Sequence, residues 1–203
     1  MHIRQPLSWL FVVFTFFAFC SVSAASLTPP QQIIQDSSDK IKQTLVQPSY
    51  KNDFGKATGY VDGVVSQFVD MNKVAILVLG KNIRQANAAQ RQQFIKEFKT
   101  LLVRTYTKAF LEYNDWRISF DPSLDASGQN KTVVRTLVHQ PGQQPVNINY
   151  RMMQNKQGEW KVYDILIEGV SLVTNYRTTF NREIAQTGSI DSVINMLIER
   201  NRR

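Results

Sequence analysis

The hydrophobic period of this chain changes twice, and those changes limit the folds open to it. Phe94, Phe98, Leu101, Leu102, Tyr106, Ala109 and Phe110 fall at offsets of 4, 7, 8, 12, 15 and 16 from the first, the spacing of one helix face. From Trp116 the period becomes two. Trp116, Ile118 and Phe120 alternate with Arg117 and Ser119; Val146, Ile148, Tyr150 and Met152 alternate with Asn147, Asn149 and Arg151. Helical spacing returns with Val170, Val173, Tyr176, Arg177, Phe180 and Ile184. Helices, then strands, then helices predict an α+β fold: a four-stranded curved antiparallel sheet, with helices before and after it packed on one face.

Punctuation residues place the elements. Thr28 is an expected N-cap with Pro29 at the first helical position, and Ile33, Ile34, Ile41 and Leu45 form the apolar stripe of a first helix that Pro48 stops. Pro48 to Gly63 holds Gly55, Gly59 and Gly63 among polar residues and reads as a linker with little regular structure. Val64 to Leu79 predicts two short helices bending near Met71-Asn72, with Gly80 as a C-cap. Asn87 and Gln90 have capping-box spacing. Strands are expected at 116–120, 132–140, 146–152 and 160–167, joined by turns at Asp121–Lys131, Pro141-Gly142 and Asn155–Glu159. Gly188 ends the penultimate helix and Ser189 caps the last one.

The amino terminus reads as an export signal. Arg4 precedes an apolar run from Leu7 to Phe19, and the small residues Ser21-Val22-Ser23-Ala24-Ala25 follow. That run is shorter than the roughly 20 apolar residues of a spanning helix. Cleavage is expected after Ala24, leaving residues 25–203 as a single exported domain. Cys20, the chain's one cysteine, falls inside the signal, so no disulfide or thiolate chemistry is expected beyond it. The formal charge of +8 is spread along the chain. Such an excess suits an anionic membrane or an acidic partner and equally a solvated surface; a nucleic-acid partner is not expected.

Chemistry-bearing constellations are scarce. His139 is the one histidine after the signal, so neither a zinc cluster nor a Ser-His-Asp triad has the residues it needs. No phosphate loop, Rossmann fingerprint or calcium loop occurs. Asp164 and Glu168 flank the fourth strand, where four residues span about 13 Å, wider than glycosidase carboxylate pairs at about 5–9.5 Å. Asp164 is therefore expected to pair with a cross-strand Arg or Lys, and Glu168 to serve backbone groups at the strand-to-helix turn. No catalytic residue, metal site or cofactor is assigned. Apolar surface is plentiful instead: Trp160, Val162 and Leu166 are expected on one face of the fourth strand, and Tyr163, Ile165 and Ile167 on the other. Such faces build an ordinary core, or line a cavity for an apolar ligand.

The stretch Trp160-Lys161-Val162-Tyr163-Asp164-Ile165-Leu166-Ile167-Glu168-Gly169-Val170-Ser171-Leu172-Val173-Thr174-Asn175-Tyr176-Arg177 resembles the signature of the MlaC-like, toluene-tolerance auxiliary family of periplasmic lipid carriers. Leu77-Val78-Leu79-Gly80 and the helix through Phe98, Leu102, Arg104, Thr105 and Tyr106 are similar to its earlier landmarks. The likeness runs from about Gln32 to Ile198, and Pro48–Gly63 departs from the family's helical stretch. The resemblance implies a phospholipid carried as cargo, acyl chains inside and headgroup near solvent. It also implies shuttling between an outer-membrane lipoprotein–porin complex and the substrate-binding subunit of an inner-membrane ABC transporter, in a system maintaining outer-membrane lipid asymmetry. On this reading Leu77, Phe98, Leu102, Tyr106, Ile148, Tyr150, Tyr163, Ile165, Val170, Val173 and Tyr176 line an apolar cleft, with Arg177 or Lys81 near a headgroup phosphate. Two other readings stay open: a small-molecule enzyme on a cone-shaped α+β scaffold using Asp164 with Tyr163 or Tyr150, and an envelope adaptor that holds no ligand.

Overall fold

A computed structural model of the chain describes residues 26–113, 115–121 and 130–202. The expected signal segment 1–24 and most of the Asp121–Lys131 turn lie outside these residues. The order is α1 (Pro29–Leu45), α2 (Pro48–Lys51), α3 (Phe54–Phe68), α4 (Met71–Leu79), a 3-10 turn (Gly80–Arg84), α5 (Ala88–Glu112), β1 (Arg117–Phe120), β2 (Lys131–His139), β3 (Val146–Gln154), β4 (Trp160–Ile167), β5 (Val170–Ser171), α6 (Leu172–Thr187) and α7 (Ile190–Arg202). The strands form one antiparallel sheet in the order β1-β2-β3-β4-β5.

The sheet has five strands where four were expected. Ile167 pairs with Val170 across Glu168 and Gly169, whose φ angles of 48° and 79° are left-handed. That is the primed geometry of a two-residue hairpin. Val170 therefore belongs to β5, and α6 begins after it. A two-residue strand is too short to show an alternation in sequence.

A second difference lies in β4. Arg151 pairs with Asp164 and Met152 with Val162, leaving Tyr163 as the extra residue of a bulge. The extra residue resets the alternation. Val162 joins Ile165 and Ile167 on one face, opposite Met152, Tyr150 and Ile148, instead of lying across the sheet from them. Val134 and Val138 of β2 share this face through their register with Tyr150 and Val146.

The segment read as a linker is helical. The Asp53 carboxylate accepts the Lys56 N–H at 2.9 Å and caps α3. Ala57, Val61 and Val64 are buried, while Gly55, Gly59 and Gly63 lie four apart on the exposed side. Each glycine costs about 1 kcal/mol against alanine in a helix. Burial of two valines and an alanine, with valine worth roughly 1.5–3 kcal/mol when fully buried, more than offsets the cost. The helix ends at Phe68, and Asp70 caps α4 by accepting the Lys73 N–H. The break thus falls one residue before Met71.

The other caps follow the sequence. Gln31 Oε1 accepts the Thr28 N–H, and Asn87 and Gln90 exchange reciprocal bonds at 2.9 Å. Gly188 ends α6 in the left-handed conformation at φ 72°. One core cluster joins α4, α5, α6 and α7 through Val78, Phe94, Phe98, Phe180 and Leu197. A second joins α1, α3, α5 and the first strands through Leu45, Val61, Val103 and Trp116. Among the described residues no helix is long and apolar enough to cross a membrane.

Candidate functional site

Between the helices and the apolar face of the sheet lies a cavity of about 550 Å³. Protein interiors are close-packed, with few voids larger than a water. This one falls among ligand sites of about 300–1,000 Å³.

Its walls come from every layer. Phe98, Leu102 and Tyr106 of α5, Ile148 and Tyr150 of β3, Tyr163 and Ile165 of β4, and Val173 of α6 all line it. Three of the residues expected there do not. Tyr176 packs edge-on against Phe98, 4.9 Å between centroids, and beside Phe180, so its ring belongs to the helical core. Leu77 packs against the same cluster. Val170 sits on β5, 58% exposed. Neither cation expected near a phosphate lines the cavity: Arg177 Nε donates to the Leu77 carbonyl at 2.6 Å near the end of α4, and Lys81 is exposed on the turn that follows.

The sequence reading missed a whole wall. Ile34 and Ile41 of α1, and Val61, Val65 and Phe68 of α3, complete the cavity. Ala57, Val61, Val64 and Phe68 repeat at three and four residues, a signal hidden beneath the glycines of the same segment. Lys99 lies in the lining as well, and its ammonium reaches Asp62 of α3 at 2.8 Å. The stem can cover apolar surface while the charge stays paired. Trp116 also lines the cavity, its indole N–H satisfied by Ser38 Oγ at 2.8 Å.

Tyrosines add polarity to the wall, and burial raises the pKa of two of them, Tyr106 and Tyr150. Tyr150 is pushed up to about 12 by burial. Tyr106 is raised further, chiefly by burial and then by Tyr176. Asp164, the one carboxylate among the described residues of the lining, is fully engaged. Oδ2 accepts Arg151 Nη1 at 3.0 Å and the Ser171 hydroxyl at 2.7 Å; Oδ1 accepts the Val173 N–H at 3.1 Å. Glu168 accepts the Asn147 N–H, so both expected carboxylate partners are present. Among the described residues no group of three or more His, Cys, Asp or Glu is placed to hold a metal.

The exposed members of the lining are Tyr113, Gln143 and Gln144. They come from the end of α5 and from the β2–β3 turn, and Gln140 adjoins them. These exposed lining residues carry no charge, and they lie toward the end of the sheet where Arg117 pairs with His139. Phe98, Val78 and Val173 are buried members of the lining.

Residues 35–199 match the family model described as MlaC protein. The chain belongs to the MlaC family. It is 27% identical over 180 residues to the intermembrane phospholipid transport system binding protein MlaC of Haemophilus influenzae, covering 85% of this chain and 84% of that one. It is 25% identical over 176 residues to toluene tolerance protein ttg2D of Pseudomonas putida, covering 85% and 80%. A phospholipid-binding protein from Ralstonia solanacearum, solved in complex with a phospholipid, superposes with a TM-score of 0.79 at 29% identity. That match covers 86% of this chain and 97% of the other. The expectation that Pro48–Gly63 departs from the family's helical stretch is thus corrected by α2 and α3.

Proposed function

We propose that this MlaC-family protein is a periplasmic phospholipid carrier that performs no chemistry on its cargo. The observation that carries the reading is the cavity of about 550 Å³, walled mostly by apolar side chains with the tyrosines Tyr106 and Tyr150 among them. An acyl chain in water costs about 0.8 kcal/mol per CH₂. Exchange between a bilayer and an apolar cavity moves the chain between two oily settings, so the net change is small and loading is reversible. The tails would enter past Tyr113 and the Gln143-Gln144 turn and reach toward Phe98 and Val173. The headgroup would remain among the uncharged side chains of the opening.

The name of the Haemophilus relative and the lipid-bound Ralstonia neighbour support this reading. The finer assignment is an Mla-type role in outer-membrane lipid asymmetry. There the carrier would meet an outer-membrane lipoprotein–porin complex and the substrate-binding subunit of an inner-membrane ABC transporter. It rests on family membership, with residues 1–24 as the export signal and residues 25–203 as one domain. The enzyme alternative is weakened because Asp164 spends both oxygens on Arg151, Ser171 and the start of α6.

Mass spectrometry of the organic extract from gently purified protein tests the proposal. Co-purifying phospholipid at near-stoichiometric yield is expected. An extract free of phospholipid, from protein that also fails to take up lipid from vesicles, would reject it.

A further inference from the structure

The cavity opens at one end of the molecule, and the surface around that opening has its own character. Lys42 Nζ donates to the Trp116 carbonyl, placing the last turn of α1 beside the chain that follows α5. Lys99 of α5 meets Asp62 of α3, and Arg104 lies over the Phe54 ring. These contacts run α3 antiparallel to α5 and put the start of α3, with α2 before it, near the C-terminal end of α5. The pairing of Arg117 with His139 brings the β2–β3 turn to the same end.

This end presents apolar groups and cations together. Val46 and Tyr113 are 47% and 43% exposed, two of the few large apolar side chains left so open among the described residues. Tyr50 and Phe54, in the segment that follows Val46, are half-buried, with Lys56 Nζ 4.4 Å from the Tyr50 ring centroid and Arg104 5.1 Å from that of Phe54. Residues 42–57, 104–117 and 139–146 hold six Lys or Arg side chains and three Asp or Glu. Lys51, Lys108 and Arg117 are exposed. Aromatic rings with cations beside them suit the headgroup level of a bilayer, and the charge excess suits an anionic one.

From this juxtaposition we infer that the rim formed by α2, the first turn of α3, the end of α5 and the β2–β3 turn seats the protein directly on an anionic lipid surface, with the cavity opening facing the bilayer. The inference rests on the carrier reading for its purpose, but its evidence is the rim itself. Seated this way, Tyr113, Gln143 and Gln144 would lie at headgroup depth, and a tail could pass into the cavity without crossing bulk water. Each cation near such a surface is worth about 1 kcal/mol. Reversing three of them should therefore weaken adsorption at least on the order of a hundredfold.

The test is flotation of the full chain with phosphatidylcholine vesicles, with or without phosphatidylglycerol, at low and high salt. Binding that needs phosphatidylglycerol and is released by salt is expected. The triple change Lys51→Glu, Lys108→Glu, Arg117→Glu should abolish it, whereas Arg84→Glu with Arg182→Glu, on the turn after α4 and on α6, should leave it. Tyr113→Ala should weaken binding without a charge change. Equal binding to neutral vesicles, or an equal loss from the distant pair, overturns the inference. So does a rim that matters only for docking to a protein partner, with no vesicle binding. Mass spectrometry of bound lipid on the same samples separates the two proposals. Lipid retained without vesicle binding sinks the docking surface alone; vesicle binding by a chain that never holds lipid sinks the carrier alone.

Discussion

Arg151 and Asp164 face each other across β3 and β4, with Nη1 donating to Oδ2 at 3.0 Å. The carboxylate is almost wholly buried, its side chain 3% exposed against 42% for the arginine. Because it also accepts the Ser171 hydroxyl and the Val173 N–H, this one group joins the sheet to the first turn of α6. Asp164→Ala would strand a buried N–H and a hydroxyl. A loss of about 3 kcal/mol is expected from the unmade bonds. Arg151→Ala should cost less, since the carboxylate keeps two donors and the arginine is partly in water. Urea unfolding of both variants checks the order, and an equal cost would contradict it.

Glycines of opposite role should respond oppositely. Gly59 and Gly63 lie on the exposed side of α3, and an added Cβ at either would meet nothing within 4 Å. Each change to alanine should stabilise the fold by about 0.5–1 kcal/mol. Gly169 is equally uncrowded, but its φ is 79°. Gly169→Ala should therefore destabilise by about 1 kcal/mol through the backbone alone. Thermal unfolding of the three single variants gives the signs.

The same glycines mark where the sequence was hard to read. Period-two runs such as Val146 to Met152 and turn pairs such as Pro141-Gly142 made the meander legible, because a strand exposed on one face must alternate. Three glycines in ten residues spoke against a helix at Pro48–Gly63, yet the buried positions Ala57, Val61 and Val64 overrode local propensity. The Tyr163 bulge left no trace at all. An extra residue is defined only by its partner strand, so strict alternation separates Val162 from Ile165 and Ile167, whereas the register sets all three opposite Met152, Tyr150 and Ile148. Cavity residues on long regular elements, such as Phe98, Leu102 and Tyr106, were accessible to pattern reasoning. Tyr176 shares their spacing, but a ring that finds Phe98 and Phe180 fills space instead of bordering it.

Tyrosine ionisation should register the cavity wall. Burial pushes Tyr150 up to about 12 and raises Tyr106 as well, from an ordinary value near 10. A raised folded-state value means that the native protein holds these protons longer than the unfolded chain does. The associated stability is complete below about pH 10 and is lost as the pH climbs toward about 12. Tyrosinate absorbance should therefore show a late-titrating fraction that vanishes on unfolding, and Tyr150→Phe should shrink it. Uniform titration of every tyrosine near 10 in the folded protein would contradict the burial of this wall.

Removal of the cargo should expose the thermodynamic role of the cavity. A ligand that binds only the folded state stabilises it by RT ln(1 + [L]/Kd), about 2.7 kcal/mol when the ligand stands at 100 times Kd. The delipidated chain should stay folded, because its core clusters around Phe94 and Leu45 lie in packed helices. Its unfolding temperature should nevertheless fall and recover when phospholipid is returned. Ile148→Asp places a carboxylate on the cavity wall opposite Ile167, where an acyl chain would desolvate it. That variant should retain no lipid and unfold at one temperature whether or not lipid is offered. A lipid-dependent rise equal to that of the unchanged protein would mean that the tails lie somewhere other than this cavity.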